Sequence, residues 1–120
     1  MAYDEYLADR VRDTFKLKHI PFYEKKMFGG LCFMVDDKMC CGVMFYKKKN
    51  TNTLMIRIGE EAYQLNDHRV GIQPMDFTGR PMKGFAFVTP EGYDSASDLE
   101  HWIQLCIDFN PTASKSKKKR

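Results

Sequence analysis

The sequence predicts an α+β domain of two layers: a mostly antiparallel sheet of about five strands, with an N-terminal, a short middle and a C-terminal helix. Three observations carry this. Apolar residues recur at helical spacing at both ends of the chain. Short β-rich runs cluster between them, separated by tight turn signals and not by helix-length connections. The length of 120 residues fits one domain, large enough to build a core without covalent staples.

Residues 4–18 read as an amphipathic helix. Tyr3, Leu7, Val11 and Phe15 recur every four residues, with Thr14 on the same face. Asp4 and Glu5 suit the positive end of the helix dipole, Lys16, Lys18 and His19 suit the negative end, and Pro21 stops the helix. Residues 22–26 read as extended. The apolar runs 31–35 and 39–45 flank Asp36-Asp37, which makes a β-hairpin. The polar run 47–52 is an exposed loop. In 54–58, Leu54, Ile56 and Ile58 alternate with Met55 and Arg57. Gly59 turns the chain into a short helix over 60–66, and a weaker extended segment covers 70–73. Residues 74–81 are punctuated as a loop, 84–88 form a strand with Phe85 and Phe87 on one face, and 90–92 form a turn. In the last helix, Ser95 and Ser97 each precede an acid by three residues, and Leu99, Trp102, Ile103 and Cys106 form the buried stripe. Asn110-Pro111 ends it. The domain is expected to span 1–111. Residues 112–120 hold nothing apolar larger than alanine and are expected to be disordered.

Net charge is +3, but five cations, Lys115, Lys117, Lys118, Lys119 and Arg120, lie in the last six residues. Without them 14 basic residues face 16 acidic ones, so the body of the domain is not basic. The tail could gather nucleic-acid phosphates without sequence preference. No apolar run approaches the roughly 18 residues of a membrane span, and the start is acidic where a signal peptide is basic. A cytoplasmic location with no membrane partner is expected, with oligomeric state left open.

The four cysteines, Cys32, Cys40, Cys41 and Cys106, show no metal-ligand spacing, and neither a metal nor another cofactor is expected. A two-residue turn at Asp36-Asp37 places Cys32 opposite Cys41, which allows a redox-sensitive pair; reduced core thiols are the preferred reading, because free cysteine behaves as a small hydrophobe. The first serine is Ser95, and His19, His68 and His101 are scattered. No catalytic residue is assigned, and binding is expected in place of catalysis.

Candidate binding residues fall in three stretches. Lys25 and Lys26 precede Phe28 and the Gly29-Gly30 pair, where close backbone approach would suit an anion; a plain strand-to-strand turn with solvated lysines is the preferred reading, since turn glycines are common and phosphate loops rare. Arg57 interrupts an apolar strand and is expected on an open second face. Met75, Phe77, Arg80, Met82 and Lys83 mark a loop rich in adaptable apolar groups, which either receives a protein partner or folds back over the sheet.

These residues carry a family resemblance. Met1-Ala2-Tyr3-Asp4, Lys25-Lys26-Met27-Phe28-Gly29-Gly30-Leu31, Cys41-Gly42-Val43, Arg57-Ile58-Gly59 and the run from Pro74 to Gly84 resemble, in order, the N-terminal domain of the TfoX/Sxy family. The resemblance runs from about residue 3 to 110. It implies a compact α+β domain with helices on one side of the sheet. Longer bacterial members join this domain to a second, C-terminal one and help activate DNA-uptake genes, alongside the cyclic-AMP receptor protein. The present chain is expected to be a stand-alone version. The resemblance implies a regulatory or adaptor role through a protein partner in transcription or competence control, and it carries no catalytic residues. The alternatives are nucleic-acid binding through the tail and an uncharacterised small-ligand binder or enzyme using Gly29-Gly30 with Arg57 or Arg80.

Overall fold

A computed structural model describes residues 3–27, 29–47, 49–75 and 84–113. The chain runs α1 (Glu5–Leu17), β1 (Tyr23–Met27), β2 (Gly30–Val35), β3 (Lys38–Tyr46), β4 (Thr51–Arg57), α2 (Gly59–Asn66), β5 (Ile72–Pro74), β6 (Phe85–Val88), α3 (Pro90–Tyr93) and α4 (Ala96–Phe109), closing on a 3-10 turn at Asn110–Thr112. The strands form one antiparallel sheet of six, in the order β1-β2-β3-β4-β6-β5. The α+β expectation is met, with one strand more than the five expected. Residues 90–92, read as a turn, belong to the short helix α3.

Local chemistry explains the element ends. Asp4 caps α1 by accepting from Tyr6 N. The helix stops at Leu17, before Pro21, because His19 adopts a left-handed conformation (φ 59°). His19 N then donates to Lys16 O and Ile20 N to Phe15 O, the paired bonds of a Schellman ending. Asp36 and Asp37 both take positive φ, 57° and 63°, as a two-residue hairpin turn of matching twist requires. Ser95 caps α4, accepting from Asp98 N at 3.1 Å.

Alternation along the strands separates two apolar layers. On one face Leu31, Phe33, Val43, Leu54, Ile56 and Val88 meet the buried sides of α1 and α4, including the Leu99, Trp102, Ile103 and Cys106 stripe. Polar anchors hold the helices in place. Arg12 of α1 reaches Glu24 of β1 at 2.6 Å, and Trp102 Nε1 donates to Gly92 O at 2.9 Å. Lys38 donates to Asn110 O and Pro111 O at 3.1 and 3.2 Å, placing a cation on the carbonyl end of α4.

The opposite face is sulfur-rich. Cys32, Met34, Met39, Met44, Met55, Met75 and Phe87 are buried together there. Met75 is 0% exposed, so the chain leaving β5 folds back onto the sheet at that point, which favours the fold-back reading for this residue. Phe77, Arg80, Met82 and Lys83 lie outside the described residues.

One register expectation is corrected. Cys32 pairs with Gly42, and Phe33 pairs with Cys41, because a bulge at Phe33/Met34 shifts the hairpin register by one residue. Cys40 is the extra residue. As a result Cys40 and Cys41 both join the helix-side core, while Cys32 sits on the other face. The cross-strand Cys32–Cys41 pair does not form, and all four cysteines are free and buried.

Candidate binding surface

Lys25 and Lys26 are exposed on β1, an edge strand, and point to opposite faces of it. Lys25 shares the face of Cys32, whose thiol its charge slightly favours in ionised form; burial dominates and pushes that thiol up to about 11. Gly29 is exposed in the turn with φ 74°. Gly30 is buried: a Cβ there would strike Val43 O and stand 2.6 Å from Met44 Cβ. Strand packing therefore accounts for Gly30 without a ligand. Phe28 lies outside the described residues, as do Lys115, Lys117, Lys118, Lys119 and Arg120.

Arg57 lies on the sulfur-rich face, whose apolar residues are buried, so the open face expected around it is corrected. The side chain is half-buried. Its guanidinium stands 5.2 Å from the centroid of the Phe85 ring, and Nη1 donates to Met39 O at 3.4 Å. Burial lowers its pKa from the ordinary value. Gly30 packs against Met44, which pairs with Thr53, four residues from Arg57 along β4. That is about 13 Å of strand, with two further strand spacings across the sheet. The Gly29-Gly30 turn and Arg57 thus do not converge on one pocket.

The structure instead opens a surface at the start of α2. Ile58 N and Gly59 N both donate to Gly84 O, at 2.9 and 3.1 Å, pinning the end of β4 to the start of β6. Both glycines are left-handed (φ 87° and 81°), and a Cβ on Gly84 would stand 3.1 Å from Gly59 Cα. Side chains are excluded here, and two depressions meet across the bare backbone. One, of about 320 Å³, is bordered by Arg57, Gly84, Phe85 and Phe109. The other, of about 360 Å³, lies between α2 and the end of α4. Its floor is Ile58, Ala62, Leu105 and Phe109, and its rim carries Glu60, Glu61, Asp108 and Leu65. Gly59, Glu60 and Phe109 belong to both.

The rim is unsatisfied in two ways. Leu65 is 69% exposed beside an apolar floor. No cation among the described residues pairs with Glu60, Glu61 or Asp108; Asp108 accepts from a neutral amide, Gln104 Nε2, at 2.9 Å. Sequence reading missed this surface. The signal available was that Leu105 and Phe109 exceed the four-residue stripe that α4 needs for its core.

Two titratable groups elsewhere have structural surroundings. Cys41 lies against Cys106 and Cys40, and bonding to these thiols together with burial holds its pKa well above the usual value. His101 Nε2 and Asn66 Oδ1 are 3.0 Å apart, and Arg69 Nε donates to the same oxygen at 3.1 Å. No group of three or more His, Cys, Asp or Glu able to hold a metal ion occurs among the described residues. No helix among them is long and apolar enough to cross a membrane.

The six-stranded antiparallel sheet, helices on one face and a grooved junction at α2 define a small α+β domain. The family model of the TfoX N-terminal domain matches residues 17–110, and the chain belongs to that family. No curated protein and no solved structure matches it.

Proposed function

We propose that this domain is a regulatory adaptor that acts by binding another protein, in the control of transcription or competence, and not by catalysis. Family membership supports the regulatory part of this reading. The observation that carries the binding part is the groove beside α2: an apolar floor with an exposed leucine and unpaired carboxylates is a surface that the described residues leave unfilled. The buried free thiols and the His101–Asn66 contact fit a structural role for these groups. We place the protein in the cytoplasm.

The test is site-specific photo-crosslinking in cells producing the full chain. A photo-reactive phenylalanine analogue is placed at Leu65, Leu17 or Tyr23, one at a time; all three are exposed and lie on different elements. A discrete protein adduct from at least one position is expected. The absence of adducts from all three would contradict the adaptor reading.

A second reading rests on the five cations at 115–120. Duplex DNA titrated at low and moderate salt, with the full chain and with a chain ending at Ala113, tests it. Binding that salt weakens and truncation abolishes assigns the tail a non-specific phosphate contact. Binding retained by the truncated chain places DNA recognition in the domain body and displaces the adaptor reading. No binding by either removes nucleic acid as a partner.

A further inference from the structure

We propose that the groove between α2 and α4 receives a short basic, amphipathic segment of the partner protein. This rests on the adaptor reading and deepens it by naming the site and the chemistry of what enters it. The volume of about 360 Å³ accommodates a few large side chains. Leu105 and Phe109, four residues apart on α4, present an apolar floor of helical spacing, the arrangement that receives anchors at i, i+3 and i+4 of an incoming helix. Around that floor stand Glu60, Glu61 and Asp108, exposed and unneutralised by any described cation. Among the described residues, the charge around this groove is therefore negative. It repels acidic segments and draws in lysine and arginine. Arg57 faces the neighbouring depression, so the cations of the segment belong at the Glu61–Asp108 end.

A second copy of the chain is a rival occupant, and its exposed groups fit the groove poorly. Leu17 is 82% exposed beside Lys16 and Lys18, which resembles the required chemistry. But Lys18 is engaged by Glu100 at 2.9 Å. A single leucine knob also falls well short of the roughly 1,200 Å² that a stable interface buries.

The probe is a fluorescein-labelled peptide of about 14 residues, with Leu at i, i+3, i+4 and i+7 and Lys elsewhere, followed by anisotropy against the full chain. Two comparison peptides replace every Leu by Ser or every Lys by Glu. The protein variants are Leu65→Glu, and Glu61→Lys combined with Asp108→Lys. Asp13→Lys, on exposed α1 surface, is the control, and circular dichroism verifies each fold. The Leu/Lys peptide should bind, and both comparison peptides should bind about tenfold or more weaker. Both groove variants should lose about tenfold or more, and Asp13→Lys less than about twofold. Equal binding of the Ser/Lys peptide would overturn the proposal by reducing it to bare charge attraction. Undiminished binding by the groove variants would overturn the site. Self-association in sedimentation that Leu65→Glu abolishes would make the occupant a second copy and overturn the partner assignment. Crosslinks at Leu17 or Tyr23 with none at Leu65 would remove the groove while leaving the adaptor reading intact.

Discussion

The ring of Phe109 occupies the space that a side chain on Gly59 would need: a Cβ there would stand 2.7 Å from Cε1. This contact joins the start of α2 to the end of α4 and closes the floor between the two depressions. Gly59→Ala would force both a left-handed alanine and a clash. It is expected to destabilise the domain by about 2–4 kcal/mol. Urea unfolding reads this as a lower midpoint at unchanged slope. Combined with Phe109→Ala the cost should be less than the sum of the singles by about 1 kcal/mol, since the clash disappears and the backbone strain remains. Full additivity would mean that the ring does not press on the glycine.

His19 ends α1 in a left-handed conformation that glycine adopts without cost. His19→Gly keeps the bonds from residue 19 to Lys16 O and from Ile20 to Phe15 O, and removes Cβ strain. A gain of about 1 kcal/mol is expected in chemical denaturation. A loss would show that the imidazole makes a contact worth more than the strain.

These two positions show how far the sequence reaches. The helix over Glu5–Leu17 was legible from Leu7, Val11 and Phe15, because burial of one face imposes the period. Its end was read to within one residue, but the stop was assigned to Pro21, because a left-handed histidine leaves no mark in a pattern that favours glycine. The hairpin at Asp36-Asp37 was legible from its turn residues. The bulge at Cys40 was not: only the packing of Phe33 against the helix layer decides which residue is left over, and a one-residue slip moved Cys41 to the face opposite Cys32. Strand β5 is three residues long and closed by Pro74, too short to show alternation. The groove was illegible because Glu60, Glu61 and Leu65 meet Leu105 and Asp108 only after α2 and α4 pack. Of the candidate loop, Met75 is placed in the core of the second face, which apolarity alone could not distinguish from a partner surface.

His101 lies partly buried beside Arg69, and burial first, then the Arg69 charge, lowers its pKa below 6.5, with Asp98 opposing. A histidine depressed in the folded state binds its proton more readily when unfolded. Its contribution to stability is therefore present above pH 6.5 and lost as pH falls through the folded value. Wild-type stability should decline over that window by more than that of His101→Gln, which keeps a donor towards Asn66 and does not titrate. Parallel pH profiles for the two proteins would contradict this.

The thiols give a direct readout of the corrected register. Cys32, raised to about 11 by burial, and the deeply buried Cys41 should react slowly with a disulfide reagent in the native protein at neutral pH. Protein denatured without reductant and then alkylated should carry four labels by mass. A fast-reacting native thiol, or a mass two labels short, would contradict the buried free-thiol arrangement.

Binding of a basic amphipathic segment at α2 and α4 is what distinguishes this groove from an inert surface. The most direct measurement is a ¹H–¹⁵N spectrum of the full chain titrated with the Leu/Lys peptide. Shift changes are expected to concentrate in Gly59–Asn66 and in the end of α4 through Thr112, saturating with peptide. Changes centred on β1 or the Gly29-Gly30 turn, with α2 and α4 unmoved, would contradict it.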